Sequence, residues 1–343
     1  LTESVGKLRG DPGTTVILSV LIDKAAQSKL VTLKREIIVI PTVESASLEG
    51  NFGYIKIRNF QDDTSQCLNE HLKRLKMSTD KLKGLIVDLR NNSGGLLDQA
   101  IEVADKFLEI GDIVITVGPG GHPREVAEAR KTDTDEALYP IVVLVDAGSA
   151  SGAEIVAGAL KENDRAIIVG DRSFGKGSVQ QLIELMDGSA LKLTIAKYLT
   201  PLSTDIQSVG ITPDIKLLPV TVAKDNINLF RGIVALREED LKQHLDEHRK
   251  DETPFAILKY YLETKEKDKD KDKTEEPEEE AGDPYKLPDF NTDFHVIFAK
   301  KLLTKATAWQ RENFLQNSSP VLEETARSEE KKIALALQKL DID

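Results

Sequence analysis

The chain has 343 residues, 40% of them apolar and 30% charged, with a formal net charge of −12. That length supports two or three domains and at least one sizeable core, and the acidic balance argues against nucleic acid, whose binders carry a basic patch or stripe. No apolar run approaches the roughly 18 residues of a membrane span, and the lone Cys67 forms no internal disulfide and fits a small half-buried apolar position.

The chain opens at Leu1 without Met and soon enters strand-like sequence, so it reads as an excised or proteolysed fragment, compatible with a removed targeting segment. Residues 14–21 and 33–40 are predicted as short strands, with Asp11-Pro12-Gly13 turning into the first. Residues 1–48 hold too few strands to stand as an independent domain.

From 49 to 218 strands and helices alternate, the pattern of an α/β core. Strands are expected at 53–57, 85–89, 113–117, 141–145, 166–169 and 191–196, with helices at 67–77, 96–108 and from 155 onward. Beyond 219 the chain is expected to be helical, at 236–249, 254–264, 293–316 and 321–340. A charged linker near 265–282 lacks the apolar residues that would offset its ordering entropy.

Two segments carry the chemistry. Asp146-Ala147-Gly148-Ser149-Ala150-Ser151-Gly152-Ala153-Glu154 joins an apolar strand to an apolar helix. A serine at such a turn meets free backbone N–H groups and a helix dipole that favour developing negative charge. Lys176 follows twenty-five residues after Ser151, inside Ser173-Phe174-Gly175-Lys176-Gly177-Ser178-Val179-Gln180, where the flanking glycines permit close approach.

Histidine is the usual base for a serine, yet nothing ties His71, His122, His244, His248 or His295 to Ser151. Lysine replaces it if burial lowers its pKa from about 10.4 toward neutrality, and Gln180 stands four residues on, able to orient the amine. Oxyanion donors are expected from the backbone of Gly152 and of the Gly94-Gly95 pair, at the end of Arg90-Asn91-Asn92-Ser93-Gly94-Gly95.

At these residues the chain resembles the carboxy-terminal processing peptidases, or tail-specific proteases, of the serine–lysine type. The resemblance covers about residues 1–218 and rests on Gly148-Ser149-Ala150-Ser151, Phe174–Gln180 and Asp88–Gly95 in that family's order. It implies a ClpP/crotonase-like α/β core, preceded by a β-rich PDZ domain whose first half is missing here. It also implies a nucleophile at Ser151 rather than Ser149, a general base at Lys176, a lysine-orienting Gln180, and donors at Gly152, Gly94 and Gly95. Glu154 matches an acidic family position and reads as a helix-start residue.

Two positions depart from the family: Gly152-Ala153 stands for alanine-serine, and Thr200-Pro201-Leu202-Ser203-Thr204-Asp205-Ile206-Gln207 lacks the usual arginine. The implied activity is a serine endopeptidase acting on unfolded or tagged proteins near apolar C-termini, regulated by the PDZ domain and located in the bacterial periplasm or envelope. No cofactor or metal is expected. The rival reading is a latent or inactive peptidase that scaffolds partners through its C-terminal helices. Those helices are read as packing surfaces first; self-association and an adaptor protein are the two partner roles left open for them.

Overall fold

The computed structural model describes residues 2–21, 28–37, 41–79, 81–118, 123–131, 138–223, 226–229, 236–241, 252–263 and 286–340. The chain divides into two units, Leu1–Pro41 and Thr42–Asp343. In the first, α1 (Thr2–Leu8) precedes an antiparallel hairpin of β1 (Thr15–Val20) and β2 (Lys29–Lys34). The second strand therefore lies earlier than the expected 33–40, in the register that pairs Thr15 with Lys34; residues 38–40 lie outside the described ones.

The second unit is built on one large sheet. In chain order it comprises β3 (Val43–Leu48), β4 (Phe52–Ile57), α2 (Thr64–Met77), β5 (Gly84–Asp88), α3 (Leu97–Asp105), β6 (Asp112–Val117), β7 (Pro123–Glu128) and β8 (Ile141–Val145). There follow α4 (Gly152–Glu162), β9 (Ile167–Gly170), β10 (Ser178–Glu184), β11 (Ala190–Leu199), β12 (Ile215–Ala223), β13 (Asn226–Asn228), β14 (Ala256–Tyr261), α5 (Phe294–Lys305) and α6 (Arg311–Gln338). Strands β4, β5, β8, β9, β12 and β14 run parallel, while β3 and β13 are antiparallel additions beside β4 and β12. A separate antiparallel sheet has the order β10-β11-β6-β7.

Central strands covered on both faces need apolar residues at every position, and β5 and β8 are buried throughout. Alternate side chains go to opposite faces. Ile55, Leu85, Val87, Val143 and Ile168 enter a core with residues of α2, α3 and α4, whereas Tyr54, Ile86, Val142, Leu144 and Val169 enter a second core with residues of α5, α6 and β14.

The C-terminal region differs from expectation in two places. Residues 254–264 were expected to be helical, but Ala256–Tyr261 is a strand. Leu258 and Tyr260 are buried while Ile257 and Lys259 are exposed, the two-residue period of a sheet position beside β12. The last two helices also divide elsewhere. Asp164 accepts from Glu312 N–H and its carbonyl from Arg311 N–H, so α6 begins there and continues through Pro320. The predicted helix at 236–249 and the linker at 265–282 lie largely outside the described residues, apart from a short 3₁₀ turn at Glu238–Asp240.

Candidate active site

The serine turn leaves the carboxyl end of β8, where loops of a parallel sheet converge. Asp146 organises it: its Oδ1 accepts from the Gly148 and Asn91 amides, both at 2.9 Å, and from the Ser149 hydroxyl. Ser149 is buried and also donates to the Leu89 carbonyl at 2.9 Å. Ser151 is only half-buried, at the N-cap of α4, with φ 55° and ψ −114°. That left-handed backbone is strained for a residue with a Cβ.

The Asp88–Gly95 loop packs against this turn. Ala150 N–H donates to the Asn92 carbonyl, and the Asn92 side chain bridges Ile57 O and Gly94 N–H at 2.9 and 2.8 Å. Gly94 (φ +96°) approaches Ser151 so closely that a Cβ there would lie 2.7 Å from the serine Cβ. At Gly95 (φ +148°) a Cβ would lie 2.1 Å from the Phe60 carbonyl. Phe60 is strapped on either side, its N–H donating to Gly94 O and its carbonyl accepting from Leu96 N–H. Both glycines are thus required by backbone conformation and by space.

Glu154 joins the serine turn to the lysine loop. Its fully buried carboxylate accepts from Ser151 N–H (2.8 Å) and Lys176 N–H (2.9 Å) at one oxygen. The other oxygen accepts from the Ser173 hydroxyl (2.5 Å) and Gly175 N–H (2.7 Å). Burial pushes its pKa up to about 7, against the pull of these four hydrogen bonds toward the ionised form. The sequence reading gave Glu154 only a helix-start role; its longer reach is a tertiary contact with a loop about twenty residues on.

On its other side the lysine loop is held by the turn that lacks an arginine: Gln207 Oε1 accepts from Gly177 N–H at 3.0 Å and Gly175 O accepts from Ser208 N–H. Lys176 is half-buried between these supports. Gln180 is exposed on β10, just past a bulge at Val179/Gln180. Of the histidines, His122, His244 and His248 lie outside the described residues. His71 Nδ1 meets the Ser45 hydroxyl at 2.7 Å, and burial holds His295 down to about 4.

A buried charged cluster at the root of the Asp88–Gly95 loop escaped the sequence reading. Asp88 accepts from Tyr54 Oη (2.7 Å), Lys56 Nζ (3.1 Å), and the Arg90 guanidinium and amide. Burial alone would raise its pKa, but Arg90 and Lys56 hold it well below the usual carboxylate range. Beyond the neighbouring Asp-Leu-Arg triplet, no local spacing signals these partners, which come from separate strands.

Among the described residues no group of three or more His, Cys, Asp or Glu side chains forms a metal site, and no helix is long and apolar enough to cross a membrane.

A turn at the end of a parallel strand thus brings a strained serine, paired glycines and a tethered lysine loop together in one α/β domain. Residues 51–217 match the profile of peptidase family S41, and this part of the chain is an S41 peptidase domain. A carboxy-terminal-processing protease of Bartonella bacilliformis is 44% identical over 71% of this chain and 56% of its own length. A chloroplastic carboxyl-terminal-processing peptidase 2 of Arabidopsis thaliana is 37% identical over 64% of this chain and 43% of its own length. Among solved structures, a photosystem II D1 C-terminal processing protease aligns with a TM-score of 0.48 and 32% identity, covering 60% of this chain and 56% of that one. The chain spans about half the length of the curated relatives it matches.

Proposed function

We propose that the chain is a serine endopeptidase that processes or degrades proteins from or near their C-termini, with Ser151 as nucleophile and Lys176 as general base. The observation that carries this reading is the Glu154 carboxylate, which holds the backbones of Ser151 and Lys176 on a single oxygen. Ser149 is a poor rival, since its buried hydroxyl already donates to the Leu89 carbonyl.

In the first step the Ser151 Oγ–H bond breaks as the Lys176 amine takes the proton, and Oγ adds to the scissile carbonyl carbon. The carbonyl π pair moves onto oxygen, where backbone N–H groups stabilise it. The Gly152 N–H is one donor, at the start of α4 where intrahelical acceptors are lacking. Of the glycine pair, Gly95 fits the second role better, because Gly94 N–H is already committed to Asn92 Oδ1. The protonated lysine then gives its proton to the leaving amine as the C–N bond breaks, and water releases the acyl group by the reverse sequence. Gln180 takes the role of orienting Lys176 from β10.

The substrates are proteins with apolar C-termini, and recognition of such a terminus belongs to a PDZ domain of which residues 1–48 are the second half. The periplasm or envelope is the compartment this reading implies. A fluorophosphonate probe and a dye-quenched unfolded protein test the chemistry together. Wild-type chain is expected to label and cleave, and Ser151→Ala to do neither while keeping its circular dichroism. Probe labelling that persists in Ser151→Ala, or a wild type that does not label, refutes the assignment; the second outcome is what a latent scaffold would give.

A further inference from the structure

The segment beyond the S41 match sends one side chain to the root of the loop that carries Gly95. Asp293 caps α5, its carboxylate accepting from Val296 N–H at 3.2 Å. The same carboxylate receives a bidentate pair from Arg90, at 3.2 Å from Nη1 and 2.9 Å from Nη2. This fork geometry fixes both position and orientation of the guanidinium. Arg90 is 14% exposed and Asp293 17%, so water screens the pair little.

The cluster balances only when Asp293 is counted. Lys56 and Arg90 carry two positive charges, and Asp88 and Asp293 two negative ones. Without Asp293 a buried positive charge is left over, which the low-dielectric setting disfavours. Arg90 is also held through its backbone, its amide donating to Asp88 Oδ1 (2.9 Å) and its carbonyl accepting from Lys56 Nζ (2.5 Å).

From Arg90 the restraint passes along the loop within the S41 domain. Asn91 N–H reaches Asp146, the Asn92 side chain reaches Ile57 O, and Gly94 N–H reaches Asn92. The Arg90–Asp293 pair ties this loop to the C-terminal region. Below it, Phe294 stacks on Tyr260 with ring centroids 4.3 Å apart, and His295 meets the edge of that ring, so the start of α5 is itself firmly seated.

We propose that Asp293 is a positioning residue for the catalytic site: it completes the charged cluster around Arg90 and so sets the loop that presents the Gly95 N–H to the oxyanion. The C-terminal region is then part of the catalytic unit, and its role is more than to cover the sheet. This rests on the serine-peptidase reading above.

The test uses the full chain, a dye-quenched unfolded protein as substrate, and fluorophosphonate titration to count active sites. Asp293→Asn, which keeps the shape and the helix cap but drops the charge, is expected to lower kcat per titrated site by between about 10- and 100-fold. KM should stay within about twofold, because the oxyanion forms only in the transition state. Asp293→Glu should recover a substantial part of kcat. Leu302→Ala, a core change in the same helix (1% exposed), should lower Tm and leave kcat per titrated site unaltered.

If Asp293→Asn does not fold, Asp293→Ser, which still caps the helix, takes its place in the same comparison. An unaltered kcat in the charge-removing variant, or an equal loss in Leu302→Ala, overturns the inference while leaving the peptidase reading intact. A wild-type chain without Ser151-dependent turnover removes both.

Discussion

The two faces of the central sheet both carry an apolar core and differ in what covers them. One is packed by α2, α3 and α4, helices that also deliver the Ser151 turn and the Gly95 loop. The other is packed by α5 and α6, which come from the charged C-terminal stretch and bring Phe298, Phe314 and Leu302 into one core with Tyr54, Ile86 and Leu144. The first face sets out the proposed reacting groups by short-range chain connectivity. The second reaches the Asp88–Gly95 loop at a distance, through the Arg90–Asp293 pair. A covering layer can therefore be necessary for burial everywhere and for geometry at only one point.

That division can be broken or sharpened by experiment. The largest effect is expected at Gly95→Ala, where the new Cβ would meet the Phe60 carbonyl at 2.1 Å and the backbone has φ +148°. The strap at Phe60 must then shift, and turnover of an unfolded protein should fall by about 100-fold or more, together with a lower melting temperature. Near-normal turnover in a folded variant would remove Gly95 from the oxyanion role.

Phe314→Ala, on the opposite face and 1% exposed, should cost about 3–5 kcal/mol of stability by denaturant titration. Its kcat per folded site should stay within about twofold of wild type, since an apolar ring supplies no hydrogen bond or charge to the cluster around Asp88. A kcat that fell with stability would show that the second face shapes the site through its whole core and not through Asp293 alone.

The smallest effect is a slope. Burial holds the Glu154 pKa near 7, above the ordinary value of 4.5. The folded state thus binds the proton more tightly than the unfolded chain. This group's contribution to stability is fully present below 4.5 and declines as pH rises through 7. Activity should run the other way, because the ionised carboxylate best serves four donors at once. Melting curves between pH 4.5 and 8 should show that part of the decline missing in Glu154→Gln, whose turnover at pH 8 should also be reduced. An identical pH slope in the variant would reassign the titration to another group.

The α/β core was legible because its signals are local. Five-residue apolar runs such as Ile141–Val145 end in glycine-containing turns, and the period changes from strand to helix within each unit. β14 was not legible: Ala256–Tyr261 is short and apolar enough to suit either helix or strand, and its buried set, Leu258 and Tyr260, is defined only by the neighbouring β12. The break expected between 316 and 321 is absent: α6 runs through Pro320, although a proline usually marks a helix boundary.

By itself, the sequence determined the order of chemistry-bearing segments: a glycine pair, a serine turn and a lysine between glycines, each at the end of a strand-like run. Those assignments follow from backbone rules that act over a few residues. Only the tertiary structure decided how the segments are held together. Glu154 spans from helix to lysine loop, Asn92 ties up one glycine amide and leaves the other, and Asp293 reaches Arg90 across some two hundred residues of chain. Carboxylates and amides make such contacts with any partner of matching charge or hydrogen-bonding capacity. Which partner each one finds is set by the packing of the sheet, and no spacing in the chain encodes it.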